Sequence, residues 1–259
     1  MPKSLVPKCF GDLVFVTSPL RLSSEIQKKK KHIEIKDDTL YTNDAIQEKA
    51  AGMNDYQKEQ WDALILAIEQ LGRLSAAQRH GLIQEMQPYL AFRKKVDQFL
   101  ADYFSDHCTR SCYSNRRSAC CSKDGIIAFW ADVVINACCS SNAALKKMSS
   151  ALHSPVYDHK CTYLGIDGCC WQVRPLMCAL FLCEPVQQEV FSGEETCKNQ
   201  WDQLKSQAKA FRWPVGPVLF DRLETFFIDR GCRSSLMFIN TSPGLLRIKR
   251  QAQFGKPPQ

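Results

Sequence analysis

The sequence predicts a mainly α-helical protein with a few short strands, in which helices pack around a small, irregular, cysteine-rich core. Two observations lead to this fold class. After residue 53, apolar residues recur at intervals of three and four, the period of one helical face, and segments with strand character are few. In addition, 11 of the 14 cysteines lie between Cys108 and Cys183, which sets the middle of the chain apart.

The first 52 residues differ in character from the rest. They contain three prolines, the lysine run Lys28–Lys31 and a polar stretch that precedes the first convincing helix near Met53. We therefore expect residues 1–52 to be a disordered extension. As a hypothesis, the native translation product begins near Met53, and an intact-mass measurement showing a native species that starts at Met1 would rule this out.

Residues 53–104 form the first predicted helical segment. Ser75, with Gln78 three residues later, is a capping-box pattern that begins a second helix. Pro88 is expected to end that helix, because proline breaks a helix interior, and a third helix is expected over Tyr89–Phe104. The apolar face of the first helix consists of Trp61, Leu64, Ile65, Ile68 and Leu71.

Further helices are expected on both sides of the second cysteine group. The apolar segment Ile126–Cys139 predicts a buried helix. In the C-terminal part, residues 186–240, helices are expected over Gln187–Phe211 and Val218–Arg230, the latter stopped by Gly231. The best strand candidate is Leu236–Ile239.

The formal charge of +7 is concentrated at the two ends of the chain. Residues 1–40 hold eight Lys or Arg against five Asp or Glu, and residues 241–259 hold four against none, so the middle is neutral. Basic segments can bind nucleic acid, but no aromatic side chains alternate with the short lysine run. We therefore expect residues 241–259 to be a solvated, disordered basic tail and expect no nucleic-acid partner.

Whether so many cysteines form disulfides or remain thiols depends on the compartment. Disulfides are typical of exported proteins, and free thiols or metal sites are typical of proteins in reducing compartments. The apolar stretch Cys9–Val16 is too short for a secretory signal and is interrupted by Gly11 and Asp12. No segment reaches the roughly 20 apolar residues that span a bilayer. The sequence therefore predicts a cytoplasmic protein without a membrane partner, and an exported, disulfide-stapled protein is an alternative.

Three pairs of adjacent cysteines favour free or metal-bound thiols over disulfides. A disulfide between sequence neighbours is strained, because the short backbone link opposes the preferred S–S torsion. The pairs Cys120–Cys121 and Cys169–Cys170 fit better as one ligand with one core residue, or as ligands to two metals. The pair Cys138–Cys139 ends an apolar run and is expected to pack as small apolar side chains.

Thiolates at this density predict a metal site. Zinc and iron–sulfur sites take four ligands, often as two pairs brought together by folding, and soft thiolates select zinc, copper(I) or iron–sulfur. Three residues separate Cys108 from Cys112, and seven separate Cys112 from Cys120. This spacing matches no named zinc finger.

The second cysteine group carries the more specific motif. Cys161 leads into an apolar pair, Gly168-Cys169 precedes Trp171, and Arg174-Pro175 precedes Cys178. With an early block that ends in two adjacent cysteines, residues 104–185 resemble the YkgJ-type cysteine-cluster family of zinc- or iron-chelating proteins, whose early block is CxxCxxCC-like.

The early block is stretched relative to the family pattern by residues 113–119, and this weakens the case for Cys108 more than for Cys112. Cys169 and Cys170 compete for one ligand position. Cys169 is preferred, because it follows Asp167-Gly168, a turn that would aim the next side chain.

The resemblance implies a metal-binding core within residues 105–185 that holds an iron–sulfur cluster or zinc. Seven thiols exceed one tetrahedral site, so two metals, or a cluster with spare thiols, are expected. Flagellin lysine methylases share a similar cysteine arrangement, so a protein-modifying enzyme supported by the cluster is an alternative function. The expected ligands are Cys108, Cys112, Cys120, Cys121, Cys161, Cys169 and Cys178.

Other side chains are candidates for supporting roles. Arg174 is expected beside the thiolates, where a guanidinium offsets their negative charge and donates to sulfur; a surface salt bridge is the alternative. Asp132 and Asn136 fall on one helical face and either bond to each other or orient a ligand. The histidines that are candidate substitutes for a thiolate are His107, His153 and His159.

Overall fold

The computed structural model describes residues 52–108, 127–154, 161–165, 168–193, 195–211 and 218–253. Within these ranges the chain forms nine helices and one two-stranded sheet, which confirms the mainly α class. Residues 1–51 of the expected N-terminal extension lie outside the described residues. The helices are α1 (Asp55–Arg73), α2 (Ala76–Cys108), α3 (Trp130–Cys139), α4 (Asn142–Leu152), α5 (Leu176–Ala179), α6 (Glu184–Phe191), α7 (Glu195–Ala208), α8 (Leu219–Ile228) and α9 (Pro243–Gln253), and the strands are β1 (Leu164–Gly165) and β2 (Gly168–Cys169).

The first two helices each begin at a capping box, and the sequence analysis predicted the one at Ser75. At α1, Asn54 Oδ1 accepts a hydrogen bond from Gln57 N at 2.8 Å, and Gln57 Oε1 accepts one from Asn54 N at 3.0 Å. At α2, Ser75 and Gln78 make the same reciprocal pair at 3.2 and 3.0 Å. Each box satisfies two backbone N–H groups that a helix start leaves without a partner.

The expected break at Pro88 is wrong, because α2 continues through this proline as one helix of 33 residues. The side chains of Met86 and Tyr89 on either side are fully buried, and Phe92 and Val96 extend the same apolar face. Most helix stability in a folded protein comes from packing of such a face. The packing here offsets the backbone hydrogen bond that proline removes.

Two further expectations about the C-terminal part are corrected. The single helix expected over Gln187–Phe211 is divided into α6 and α7, since α6 ends at Phe191 with Ser192 as its C-cap, next to Gly193. The segment Leu236–Ile239 forms no strand. It turns instead, with Met237 N donating to Ser234 O at 3.0 Å.

The basic tail is also more ordered than the sequence indicates. Residues Pro243–Gln253 form α9, and Lys249 on this helix pairs with Asp221 and Asn240. The expected disorder of residues 241–259 is therefore wrong for the helical part. These contacts tie α9 to α8 and to the segment that follows α8.

The short helix α3 is the centre of the core. All residues from Trp130 to Asn136 are buried, and α1, α2 and α8 pack around them. The indole of Trp130 meets the ring of Phe227 on α8 edge to face at 5.4 Å. Helix α4 packs on α1, and α6 and α7 pack on α2, where Phe99 stacks on Trp201 at 5.5 Å. None of the described helices is both long and apolar enough to cross a bilayer.

Candidate functional site

The second cysteine group lies on a segment with little regular structure between α4 and α6. We call residues 161–178 the motif segment. Its strands pair antiparallel, with Leu164 opposite Cys169, and Cys170 N donates to Tyr163 O at 2.8 Å. Cys161 Sγ accepts a hydrogen bond from Tyr163 N at 3.4 Å. The hairpin therefore folds Cys161 back toward the Cys169 strand, and α5 then carries Cys178.

Three of the seven expected ligands are close enough to affect each other's ionisation. Burial, with smaller contributions from the thiols of Cys169 and Cys178, raises the pKa of Cys161 to about 12. Burial also raises the pKa of Cys169 to about 12, while the Trp171 N–H and the Arg174 guanidinium lower it. Such thiols stay protonated at neutral pH unless a positive charge stabilises the thiolate, and a bound metal ion supplies that charge.

Of the four remaining expected ligands, only Cys108 lies among the described residues. Cys108 is the last residue of α2, and Cys112, Cys120 and Cys121 lie outside the described residues. Within the described ranges, no three His, Cys, Asp or Glu side chains form a group that could hold a metal ion.

The adjacent cysteines of the motif segment have different surroundings. Cys170 is 7% exposed and belongs to the apolar core, whereas Cys169 is only partly buried and has the Arg174 guanidinium within electrostatic range. Cys138 and Cys139, at the end of α3, are partly buried against the core, and burial raises the pKa of each thiol. Nine cysteines are present as thiols, namely Cys138, Cys139, Cys161, Cys169, Cys170, Cys178, Cys183, Cys197 and Cys232.

Arg174 lies between a carboxylate and a thiol. Its Nη2 is 3.6 Å from Asp97 Oδ1 on α2, and its side chain is 37% exposed. The same guanidinium lowers the pKa of Cys169. Arg174 thus takes part in an ion pair and also stabilises negative charge on a motif thiol.

Two of the candidate histidines, His107 and His153, make other contacts. His107 Nδ1 is 3.2 Å from Glu189 Oε1 on α6. His153 Nδ1 is 2.6 Å from Ser149 O, and its ring meets Trp61 edge to face at 4.5 Å. His159 lies outside the described residues.

Two buried polar side chains of α3 hold the backbone between Cys169 and Cys178. Asn136 is fully buried; its Nδ2 donates to Val173 O at 2.8 Å and its Oδ1 accepts from Val173 N at 3.0 Å. Asp132 Oδ1 accepts from Leu176 N at 3.3 Å, and Oδ2 accepts from Phe129 N at 3.0 Å. The two residues also meet each other, because Asn136 Nδ2 donates to Asp132 O at 2.9 Å.

Burial raises the pKa of the Asp132 carboxyl to about 7. The N–H groups of Phe129 and Leu176 and the Arg93 guanidinium favour the charged form and lower this pKa, but by less than burial raises it. Removing a carboxylate from water costs more than these contacts return. Asp132 therefore keeps its proton to a higher pH than an exposed aspartate does.

Arg93 on α2 completes the hold on the same stretch of backbone. It is only 2% exposed, and its Nη1 donates to Arg174 O at 2.5 Å and to the Tyr89 hydroxyl at 3.4 Å. Its Nη2 is 3.4 Å from Asp97 Oδ1. The sequence analysis missed Arg93. The available signal was a charged residue on the otherwise apolar face of α2, one turn after Tyr89.

Helix α1 contacts both the end of α4 and the start of the motif segment. Gln57 Nε2 donates to Leu152 O and Ser154 O, both at 2.8 Å, where the chain leaves α4. Gln60 Oε1 accepts from the Tyr163 hydroxyl at 3.2 Å. Buried polar residues of three helices therefore fix the segment that carries Cys161, Cys169 and Cys178.

Comparisons with known proteins add no relative. The chain matches no protein-family model, and no curated protein or solved structure is detectably similar to it.

Proposed function

We propose that this chain is a metal-binding protein that holds zinc or an iron–sulfur cluster through cysteine thiolates, as the resemblance of its motif to the YkgJ-type family implies. The observation that carries the proposal is the mutual proximity of the thiols of Cys161, Cys169 and Cys178. Partly buried thiols within electrostatic range of one another repel each other once ionised, and a bound metal ion offsets that repulsion.

The rigid support of the motif segment favours the same function. Side chains that bind a metal must be held in a narrow range of positions, and neighbouring groups supply that hold. Here Asn136, Asp132 and Arg93 fix the backbone just before α5. The backbone at Val173, Arg174 and Leu176, shortly before Cys178, is thereby tied to α2 and α3.

The early cysteine block is able to reach this place. Phe129 N and Leu176 N bond to the two oxygens of one carboxylate, Asp132, so the chain enters α3 close to α5. Cys121 precedes Ile127 by six residues, a length that spans up to about 20 Å. We propose that Cys112, Cys120 and Cys121 supply the further ligands.

Cys108 is the least favoured of the expected ligands. It lies 15 residues beyond Arg93 on α2, which corresponds to roughly 22 Å along the helix axis. Because the Arg93 side chain contacts Arg174 at the motif segment, Cys108 sits well away from this contact. Its role in our proposal is to begin the early block.

The test is elemental analysis of the full chain purified without oxygen, with iron and zinc quantified per chain. We expect bound iron or zinc in the wild type and its loss in Cys178→Ser. The melting temperature of Cys178→Ser should also fall, because metal binding to a structural site contributes folding free energy. Cys139→Ser is the matched control, since it makes the same chemical change at a partly buried thiol outside the proposed ligand set.

A wild type without metal would overturn the proposal, as would Cys178→Ser with full metal content and unchanged melting. Titration of thiols in the denatured protein separates the disulfide alternative. Reaction of nearly all 14 cysteines supports the metal site, and a large shortfall supports a disulfide-stapled protein.

A further inference from the structure

A half-exposed aromatic ring lies on the turn between α5 and α6. Phe181 is 50% exposed, whereas Leu182 beside it is buried and Leu180 packs against the core. The backbone of this turn is bonded on both sides of the ring. Leu180 N donates to Leu176 O at 3.1 Å, and Gln187 Nε2 donates to Leu182 O at 2.6 Å. Phe181 is therefore presented to solvent by a turn whose neighbouring residues are held in place.

An open groove lies beside this ring, between α5 and the C-terminal end of α7, and its volume is about 480 Å³. A single exposed apolar side chain needs no explanation, but Phe181 is one of several side chains that line this groove. Those among the described residues are Met177, Leu180 and Phe181 from α5 and the turn, and Asp202, Lys205, Ser206 and Lys209 from α7 and its end.

The groove is shallow, because its side chains from α7 and its end are all exposed. Sites for small molecules bury most of the ligand's surface, and an open groove does not. Interfaces with proteins are instead organised around a few apolar and aromatic side chains surrounded by a polar rim. The groove has this arrangement, with an apolar wall at Phe181 and a polar wall at α7.

The polar wall carries more positive than negative charge. Lys205 Nζ pairs with Asp202 Oδ1 at 2.6 Å. Lys209, four residues further along, makes no ion pair among the described residues. The wall therefore has two ammonium groups and one carboxylate. Complementary charge across an interface selects the partner and speeds its association, so the groove favours a partner that places a carboxylate near Lys209.

We propose that this groove binds a segment of a partner protein in which an aromatic or aliphatic side chain stands next to Asp or Glu. The apolar side chain packs on Phe181, and the carboxylate pairs with Lys209. Phe181 supplies most of the affinity, since aromatic side chains at the centre of an interface dominate its energy. The inference goes beyond the proposed function and requires no bound metal.

The experiment selects peptides from a random displayed library on the full chain and measures the affinity of the enriched peptides by fluorescence anisotropy. Wild type is compared with Phe181→Ala and Lys209→Gln. Ile127→Ala is the matched control, because Ile127 is 49% exposed and lies outside the residues that line the groove. Thermal melting without peptide shows whether each variant keeps its fold.

We expect the enriched peptides to share an apolar residue beside Asp or Glu. Phe181→Ala should weaken their binding by at least about tenfold. Lys209→Gln should weaken it by about threefold and make it less sensitive to salt, because a charge pair at the rim is screened. Ile127→Ala should leave the affinity unchanged, and all three variants should melt as the wild type does.

Several results would overturn the inference. Enrichment of basic peptides or of no common pattern would do so, as would equal affinity in wild type and Phe181→Ala. A lower melting temperature in Phe181→Ala would assign the ring to folding. Self-association of the wild type that is lost in Phe181→Ala, measured by sedimentation without peptide, would assign the groove to a second copy of the chain.

Discussion

Two irregular segments of this protein are held in different ways. The motif segment, residues 161–178, is held by buried polar side chains from three helices, whereas residues 232–241, which we call the C-terminal turn segment, are hydrogen-bonded to one buried polar side chain, a carboxylate, among the described residues. That carboxylate, Glu224 of α8, accepts hydrogen bonds from Ile239 N at 3.1 Å and from Asn240 N and Nδ2 at 3.0 Å. Among the described residues, the buried polar side chains that hold the motif segment or its approach are Gln57, Gln60, Arg93, Asp132 and Asn136.

The two segments differ in whether their backbone is only satisfied by hydrogen bonds or is also held in a fixed position. Both segments leave backbone groups without helix or sheet partners, and such groups must be satisfied when buried. The C-terminal turn segment contacts one buried carboxylate and the N–H of Trp130, which donates to Leu236 O at 3.1 Å, and it contributes Leu236, Met237 and Ile239 to the apolar core. The motif segment is instead anchored to α1, α2 and α3 at once. An arrangement of this kind restricts where its thiols lie.

The largest effect is expected from Asn136→Ala. The change removes both hydrogen bonds to Val173 and leaves a buried N–H and a buried C=O unsatisfied. Because each such group costs about 1–3 kcal/mol, the free energy of unfolding should fall by roughly 3 kcal/mol. Denaturant unfolding measures this loss, and alkylation of Cys169 and Cys178 in the native protein should become faster as the segment loosens.

Glu224→Gln provides the matched control in the C-terminal turn segment. It places an amide N–H₂ against backbone N–H groups and should lower the free energy of unfolding by about 2 kcal/mol. Alkylation of the motif thiols should stay unchanged. Equal acceleration in the two variants would contradict the proposed difference, because it would mean that the thiols report only global stability.

The next effect separates the two segments by pH. Asp132 and Glu224 each have a pKa raised to about 7 by burial, from ordinary values of 3.8 and 4.5. A raised carboxyl pKa means that the folded state holds a proton that the unfolded state has released. Stability from each group is therefore complete below about pH 4 and is lost as pH rises through about 7.

Asp132→Asn removes one of these two contributions. Between about pH 4 and 7, the free energy of unfolding of the variant should depend less steeply on pH, by up to about 1.4 kcal/mol per pH unit. Urea unfolding at several pH values gives both slopes. The effect on Cys169 and Cys178 alkylation should follow Asp132 and not Glu224. Parallel stability curves for variant and wild type would show that Asp132 takes up no proton on folding in this range.

Local patterns predicted much of the fold and part of the candidate site. The capping boxes at Asn54 and Ser75 depend on residues three apart, so the starts of α1 and α2 are written in short stretches. Gly231 was predicted to stop α8, and it follows the helix in the left-handed conformation that glycine favours at helix ends, with φ +79°. The break expected at Pro88 failed, because the burial that keeps α2 continuous comes from helices far away in the sequence.

The support of the motif segment was beyond local patterns for the same reason. The Arg93 contact with Arg174 spans 81 residues, and the Gln57 contact with Leu152 spans 95. No spacing rule connects such positions. Asp132 and Asn136 were identified as a pair on one helical face, yet their partners at Val173 and Leu176 emerged only from the fold.

The smallest stability effect is expected from Arg174→Gln, and it provides the sharpest comparison. The ion pair with Asp97 is partly exposed at 3.6 Å, and pairs of this kind contribute about 0.5 kcal/mol. Arg222→Gln is the matched control, since Arg222 Nε lies 2.5 Å from Glu85 Oε1 in an ion pair that does not involve the motif segment. Both variants should lose a similar, small amount of stability in denaturant unfolding.

Their metal binding should differ. Arg174 lowers the pKa of Cys169 and so favours its thiolate, which is the form that binds metal. Under the proposed function, chelator competition should show about tenfold weaker metal binding in Arg174→Gln and no change in Arg222→Gln. Equal affinities would mean that the guanidinium serves only its ion pair with Asp97. A loss of affinity in Arg174→Gln alone would mean that Arg174, which contributes little to stability, is positioned to stabilise the Cys169 thiolate. The motif segment would then differ from the C-terminal turn segment in having a side chain that serves metal binding rather than folding.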